Sequence, residues 1–268
     1  METLFGYGFL QRALLAGVFV AIACAILGLF LLLRRDAMIG HGLAHVTFGG
    51  VALGLFLNIL PLAVALLVAV LASWAIMILK EKAGLHGDTA IGIFSSAGMA
   101  LGILLATLAG RFNVDLLTYL FGDILAIEAI EVWLSVGLAA AVAIVILTNY
   151  HKLMYLTFDR DAAKASGIKT KRLDLLLATL TSVTVVLGMK VVGILLVTAL
   201  LVIPAAAGLQ RAASFKQALW ISSAVAFFSV VLGLGAAFVY DLPASASIVL
   251  LSFIFFVIFF LFRRKKTA

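Results

Sequence analysis

The chain has 268 residues, of which 65% are hydrophobic and 12% charged, with a mean hydropathy of +1.28. A soluble domain carries about twice that share of charge, so an ordinary soluble fold is excluded, and apolar runs of roughly 20 residues follow one another too closely to leave room for a soluble enzyme domain. The net charge of +7 lies in short loops between those runs, where basic residues encode topology, and nucleic acid is discounted as a partner.

The apolar runs cover about 13–33, 43–60, 62–80, 89–109, 127–148, 173–189, 191–209, 218–239 and 244–262, which predicts an all-α polytopic membrane protein in one transmembrane domain, residues 1–268. Nine spans are expected, or eight if the division at Gly188, Met189 and Lys190 is not a real break. The first run holds the single cysteine, Cys24, which has no intrachain disulfide partner. Ala-Ile-Ala precedes it, but no cationic segment opens the chain, so a cleaved signal is not expected.

After the first run comes Ile39 to Gly54, IGHGLAHVTFGGVALG. It places His41 and His45 four residues apart, on one face of a helix. Two imidazoles so placed can hold one transition-metal ion, and Gly49, Gly50 and Gly54 let another backbone approach closely. Two hydrogen-bonded histidines at a helix start would give the same short pattern.

Asp88 opens the fourth run, where a carboxylate caps free amides and suits the positive end of the helix dipole. His86, in a basic loop, reads as solvated. Gly110 to Glu131 carries Asp115, Asp123, Glu128 and Glu131 against Arg111, a surplus of carboxylates that would concentrate cations at an entrance. Glu128 and Glu131 are expected simply to face water from an interfacial helix; Asp115 and Asp123 stay open as pathway residues. His151, at the end of the fifth run, suits a helix C-terminus.

The longest hydrophilic segment runs from Asn149 to Asp174. Thr157 or Asp159 can cap a short helix through Ala165, and Gly167 can end it in the left-handed conformation. Ala162, Ala163 and Ala165 would then present small side chains to another protein's groove, making this segment either a docking element or a plain connector. Lys190 is expected to snorkel to an interface. Pro204 should kink or locally break its helix, and kinked helices are tolerated where they line a pathway. The tail SFIFFVIFFLFRRKK reads as a lipid-facing last span with a basic anchor.

Placing the loops at Arg34 and Arg35, Lys80 and Lys82, Lys152 to Arg172, Arg211 and Lys216, and the tail Arg263 to Lys266 in the cytoplasm accounts for sixteen of the nineteen basic residues. With nine spans, that puts the N-terminus outside and the C-terminus in the cytoplasm.

Four stretches then resemble the zinc and manganese permeases of bacterial ATP-binding-cassette importers, nearest to the zinc-uptake branch: RRDAMIGHGLAHVTFGGVALG, GDTAIGIFSS, VDLLTYLFGDILAI, and the series from DRDAAKASGIK through MKVVGILLVTALLVIPAAAG to YDLPASASIVL. The resemblance implies a homodimeric permease in the plasma (inner) membrane, with a fold similar to cobalamin and siderophore importers. It implies delivery by an extracellular or periplasmic metal-binding protein and drive by separate ATPase subunits. The family's Asp-x-x-x-His motif falls on His41 and His45, with His41 in place of the usual Asp. Its cytoplasmic coupling helix falls on Asp159 to Gly167, within a coupling segment of about 150–172. Such a protein is a transport subunit and not an enzyme, with no permanently bound cofactor and with zinc, or else manganese, as cargo. Imidazoles suit zinc, whereas manganese prefers oxygen ligands. No G-x-x-x-x-G-K-[ST] occurs in the chain, so ATP hydrolysis would come from a partner. A proton-coupled metal carrier stays an alternative, although it would place titratable groups within its spans and the carboxylates here cluster at span ends or in loops; an intramembrane metalloprotease would need His-Glu-x-x-His, which is absent.

Overall fold

The computed structural model describes residues 7–83, 87–108 and 127–262. Within them the chain forms α1 (Gly8–Leu33), α2 (Ile39–Phe56), α3 (Pro61–Ala83), α4 (Gly87–Leu108), α5 (Ala129–Thr148), α6 (Tyr150–Phe158), α7 (Arg160–Ala165), α8 (Thr170–Val192), α9 (Ile194–Arg211), α10 (Phe215–Tyr240) and α11 (Ala244–Leu261). All but the short α6 and α7 are long and apolar enough to cross a membrane, nine candidate spans among the described residues. The division between the sixth and seventh spans falls later than Gly188 to Lys190. Helix α8 continues through that lysine and ends at Gly193, whose φ of 85° turns the chain directly into α9.

Helix α1 is apolar on every side and accordingly sits at the centre, packed by α5, α8, α9 and α10. Its small residues Ala13, Ala16, Ala21, Ala23 and Ala25 are fully buried, which lets those neighbours come close. Helix α2 heads a second group, packed against α3, α4 and α8. The α2–α4 contact is made backbone to backbone. A Cβ on Gly49 would lie 2.5 Å from the Gly98 carbonyl oxygen, and one on Gly98 would lie 2.7 Å from the Cα of Val46. Helix α11 packs on α9 and α10 through Ser247, Ile248 and Ser252, leaving Leu250, Phe253, Ile254 and Leu261 exposed, as suits a helix whose outer side meets lipid.

The contacts at helix ends show which ends share a side. Arg34, just after α1, pairs with Asp174 in the first turns of α8, and Asp36 pairs with Lys80 near the end of α3. Arg211, ending α9, donates to the carbonyl of Phe262, just past α11, at 2.8 Å. At the opposite side, Lys190 near the end of α8 meets Glu131 in the first turn of α5 at 2.9 Å. Arg12 near the start of α1 donates to the Ile127 carbonyl, just before α5, at 3.4 Å. The spans therefore alternate in direction, with α6 and α7 on the side of Arg34 and Lys80.

Two expectations are corrected here. Lys190 does not merely snorkel, because its ammonium is held by the Glu131 carboxylate. Glu131 does not face water: it is 9% exposed, and its other oxygen accepts from the Glu128 amide at 3.1 Å, closing a capping box at the start of α5. A carboxylate that caps a helix and meets a lysine gains more from those partners than from the bulk.

Candidate metal pathway and coupling segment

Helix α2 begins in a tightly determined turn. Arg35 adopts the left-handed conformation at φ 59°, the amide of Asp36 donates to the Leu31 carbonyl at 2.8 Å, and that of Arg35 donates to Leu32 at 3.1 Å. This is a Schellman closure of α1. The Asp36 carbonyl then accepts from Ile39 at 3.0 Å, so α2 starts from a fixed point.

His41 and His45 follow one and two turns into α2. Their Nε2 atoms lie 3.2 Å apart, with the rings edge to face at 4.7 Å between centroids. His41 is exposed and His45 half-buried, on a side of the helix that the glycine-mediated packing leaves free. The Nδ1 atom of His45 is buried without a hydrogen-bond partner, so the Nε2 edges are where a ligand would meet the pair. Zinc binds imidazole nitrogen at about 2.0–2.1 Å, which in a tetrahedral site separates two such nitrogens by about 3.3 Å. At 3.2 Å the two nitrogens are at hydrogen-bond distance from each other, a separation also close to that of two nitrogens on one zinc. Among the described residues no third His, Cys, Asp or Glu joins them, so the pair could supply two ligands of four.

Asp88 lies exposed in the first turn of α4. The structure does not gather it into a cluster with the histidines, and its position suits the helix dipole. Asp115 and Asp123 lie outside the described residues.

The segment after α5 is helical nearly throughout. Asn149 ends α5, and α6 begins at Tyr150, so His151 stands in the first turn of a new helix and not at the end of the fifth span. Leu153 and Leu156 bury one side of α6, and Tyr150 and Phe158 meet Phe215 of α10 at 5.7 and 6.2 Å between ring centroids. Asp159 caps α7, its carboxylate accepting from the Ala162 amide at 2.9 Å; the Thr157 hydroxyl instead bonds back to the Leu153 carbonyl at 2.7 Å. Gly167, at φ 77°, closes the helix as Arg35 closes α1, with the Ile168 amide donating to the Ala163 carbonyl at 3.1 Å. The alanines do not act alike. Ala165 is exposed and Ala162 partly so, whereas Ala163 is fully buried in the core. Ala163 therefore seats α7 on the bundle and is not available to a partner's groove, a correction that follows from the 100° step between neighbouring helical residues.

Pro204 is buried inside α9, which runs through it unbroken. The ring removes the amide that would bond to the Leu200 carbonyl, yet the helix continues through it, so of the kink or break expected at this position the break does not occur.

The ion pairs beneath α2 escaped the sequence reading altogether. Asp174 is 4% exposed at its side chain and pairs with both Arg34 and Arg160, the latter at 2.9 Å. Glu81 meets Arg160 at 3.3 Å and Lys171 at 3.2 Å. The available signal was that Asp36, Glu81 and Asp174 are acids within otherwise basic loops.

Among the described residues, nine candidate spans alternate in direction, a histidine pair opens the second of them, and a capped helix lies on the side of Arg34 and Lys80, the arrangement of a polytopic membrane protein. The chain belongs to the ABC 3 transport family, whose sequence profile matches residues 6–263. It is 34% identical over 266 residues to the manganese import system permease protein ScaB of Streptococcus gordonii, covering 99% of this chain and 95% of that one. It is 32% identical over 255 residues to the high-affinity zinc uptake system membrane protein ZnuB of Haemophilus influenzae, covering 95% and 97%. Among solved structures, the complex described as PsaBC from Streptococcus pneumoniae with Fab superposes with a TM-score of 0.87 at 34% identity, over 98% of this chain and 95% of that one. An inward-facing metal-chelate type ABC transporter shares the fold at a TM-score of 0.76, 18% identity, and 93% and 85% coverage.

Proposed function

We propose that this chain is the permease subunit of a zinc importer, moving the ion into the cytoplasm by alternating access. The observation that carries this reading is the His41–His45 pair, with Nε2 atoms 3.2 Å apart. Two nitrogen donors at zinc spacing favour zinc over manganese, which prefers oxygen. The half-complete set suits transport, since an ion must be released as well as bound. Water or the same face of a second copy would supply the remaining ligands, Asp115 and Asp123 would draw cations to the outer entrance, and Asp88 would stand at the cytoplasmic end of the pathway.

The same proposal includes a homodimer with the pathway on its two-fold axis. An extracellular or periplasmic metal-binding protein delivers the ion, and separate ATPase subunits dock on α6 and α7. Asp159 and Gly167 define the two ends of the docking helix, Ala162 and Ala165 its accessible side, and Ala163 its seat. The excess of basic residues on the side of α6 and α7 supports placing that side in the cytoplasm, with the N-terminus outside.

The test is uptake of radioactive zinc and manganese by proteoliposomes holding this chain with its ATPase and metal-binding protein. ATP-dependent zinc uptake should fall at least about tenfold in His45→Ala and in His41→Ala, since even outer ligands change metal affinity by about 10–100-fold. Normal zinc uptake in both variants would remove the pair from the pathway. The names of the manganese-transporting relatives favour a second reading, manganese import by the same mechanism; manganese uptake exceeding zinc in the same assay would select it.

A further inference from the structure

Arg160 is the first residue of α7, and one of its terminal nitrogens, Nη2, serves two carboxylates on two different spans. It lies 2.9 Å from Asp174 Oδ2 on α8 and 3.3 Å from Glu81 Oε1 on α3. Each of those carboxylates leads onward to the same place. Asp174 also pairs, through its other oxygen, with Arg34. Beside Glu81, Lys80 pairs with Asp36. Arg34 and Asp36 flank the left-handed Arg35 in the Schellman turn from which α2 starts, and His41 stands two residues after the Ile39 amide that this turn accepts. One chain of charge contacts, Arg160–Asp174–Arg34, thus runs unbroken from α7 to the base of the helix that carries the histidine pair, and a second route, Arg160–Glu81 and Lys80–Asp36, is joined only through the backbone of α3.

The contacts differ in burial in a way that matters. Arg34 and Asp174 are 10% and 4% exposed at their side chains, whereas Arg160 and Glu81 are 49% and 42% exposed. The inner pair is buried at both partners, the Glu81 contact is exposed at both and weakly held, and the Asp174 contact sets an exposed guanidinium against a buried carboxylate without hydrogen-bond alignment. Arg34, Asp36, Lys80, Glu81, Arg160 and Asp174 also line a cavity of about 580 Å³ open to the surface. Arg160 has room to favour one carboxylate over the other without unpacking a core. A weak, divided contact at the moving element and a buried one at the fixed element is the arrangement that allows two discrete states.

We infer that Arg160 is the positioning residue through which a displacement of α7 resets the turn at Arg34 to Asp36, and with it the histidine pair. This rests on the transport reading above. Arg160 touches no ion and would set no affinity by contact; it determines whether movement of α7 reaches α2.

The experiment measures metal taken up per ATP hydrolysed in proteoliposomes of the full complex, using zinc or manganese, whichever the wild type moves. Arg160→Gln should keep the ATPase in the complex and keep hydrolysis, while metal moved per ATP falls about three- to tenfold. Arg160→Lys, which reaches one carboxylate at a time, should recover part of that ratio. Glu81→Gln should lower it less, and Arg160→Gln with Glu81→Gln together should be no worse than Arg160→Gln alone, because both act on one route. A ratio within about twofold of wild type in Arg160→Gln would overturn the inference, that change being near the lower limit of coupling effects. So would single effects that multiply in the double variant, and so would dissociation of the ATPase, which would make Arg160 a docking contact. A wild-type complex that moves neither metal with ATP would sink the transport reading itself, and this inference with it.

Discussion

The two ends of the helix bundle are held together by different means. On the side of α6 and α7, charges from α1, α3, α7 and α8 interlock through Arg34–Asp174, Asp36–Lys80 and the divided contacts of Arg160. On the opposite side, among the described residues, Lys190 joins Glu131 and Arg12 reaches the Ile127 carbonyl. A network spanning four elements ties their ends into one unit. If an ATPase docks on α6 and α7 as proposed, that unit is where its movement would enter.

Variants can break or sharpen this contrast. The largest expected effect is Asp174→Ala, which leaves Arg34 buried without its partner. Removing one member of a buried pair costs about 3–5 kcal/mol, so thermal unfolding of the detergent-solubilised protein should show the steepest loss here. Next, Gly98→Leu acts midway between the ends, where α2 and α4 touch backbone to backbone. Overpacking should cost about 1–3 kcal/mol and lower the unfolding midpoint without changing any charge contact. Glu131→Gln, at the opposite end, loses the ion pair but keeps a capping side chain, and about 1 kcal/mol is expected. Should Glu131→Gln destabilise as much as Asp174→Ala, the contrast between the two ends would not survive. Smallest is Lys171→Ala: its side chain is 78% exposed, so a change within about 0.5 kcal/mol is expected, and a loss above 1 kcal/mol would show that the exposed rim carries more than screening allows.

Some of the candidate site was legible in one dimension because its chemistry is local. The i, i+4 spacing of His41 and His45 already places them on one face, and the structure adds the 3.2 Å separation. The Asp159 cap and the Gly167 turn involve contacts three to five residues long, which sequence pattern reports well. The side that Ala163 faces is not legible locally, because three alanines within four positions do not say which of them points inward; that depends on how Leu153, Leu156 and Ile168 seat the segment.

An all-helical chain of nine or eight spans follows from the sequence alone, since a bilayer demands a run of about 20 apolar residues for every crossing. So does the existence of a metal-capable pair on the second helix. The break at Gly193 that separates the sixth and seventh spans came from the structure. Only the tertiary structure decided where the charges of different loops meet: that Lys190 finds Glu131 and not the interface, and that Arg160 stands between Glu81 and Asp174. Those contacts join residues 14 to 79 positions apart, and Coulomb attraction acts over a few ångströms of space with no trace in local spacing.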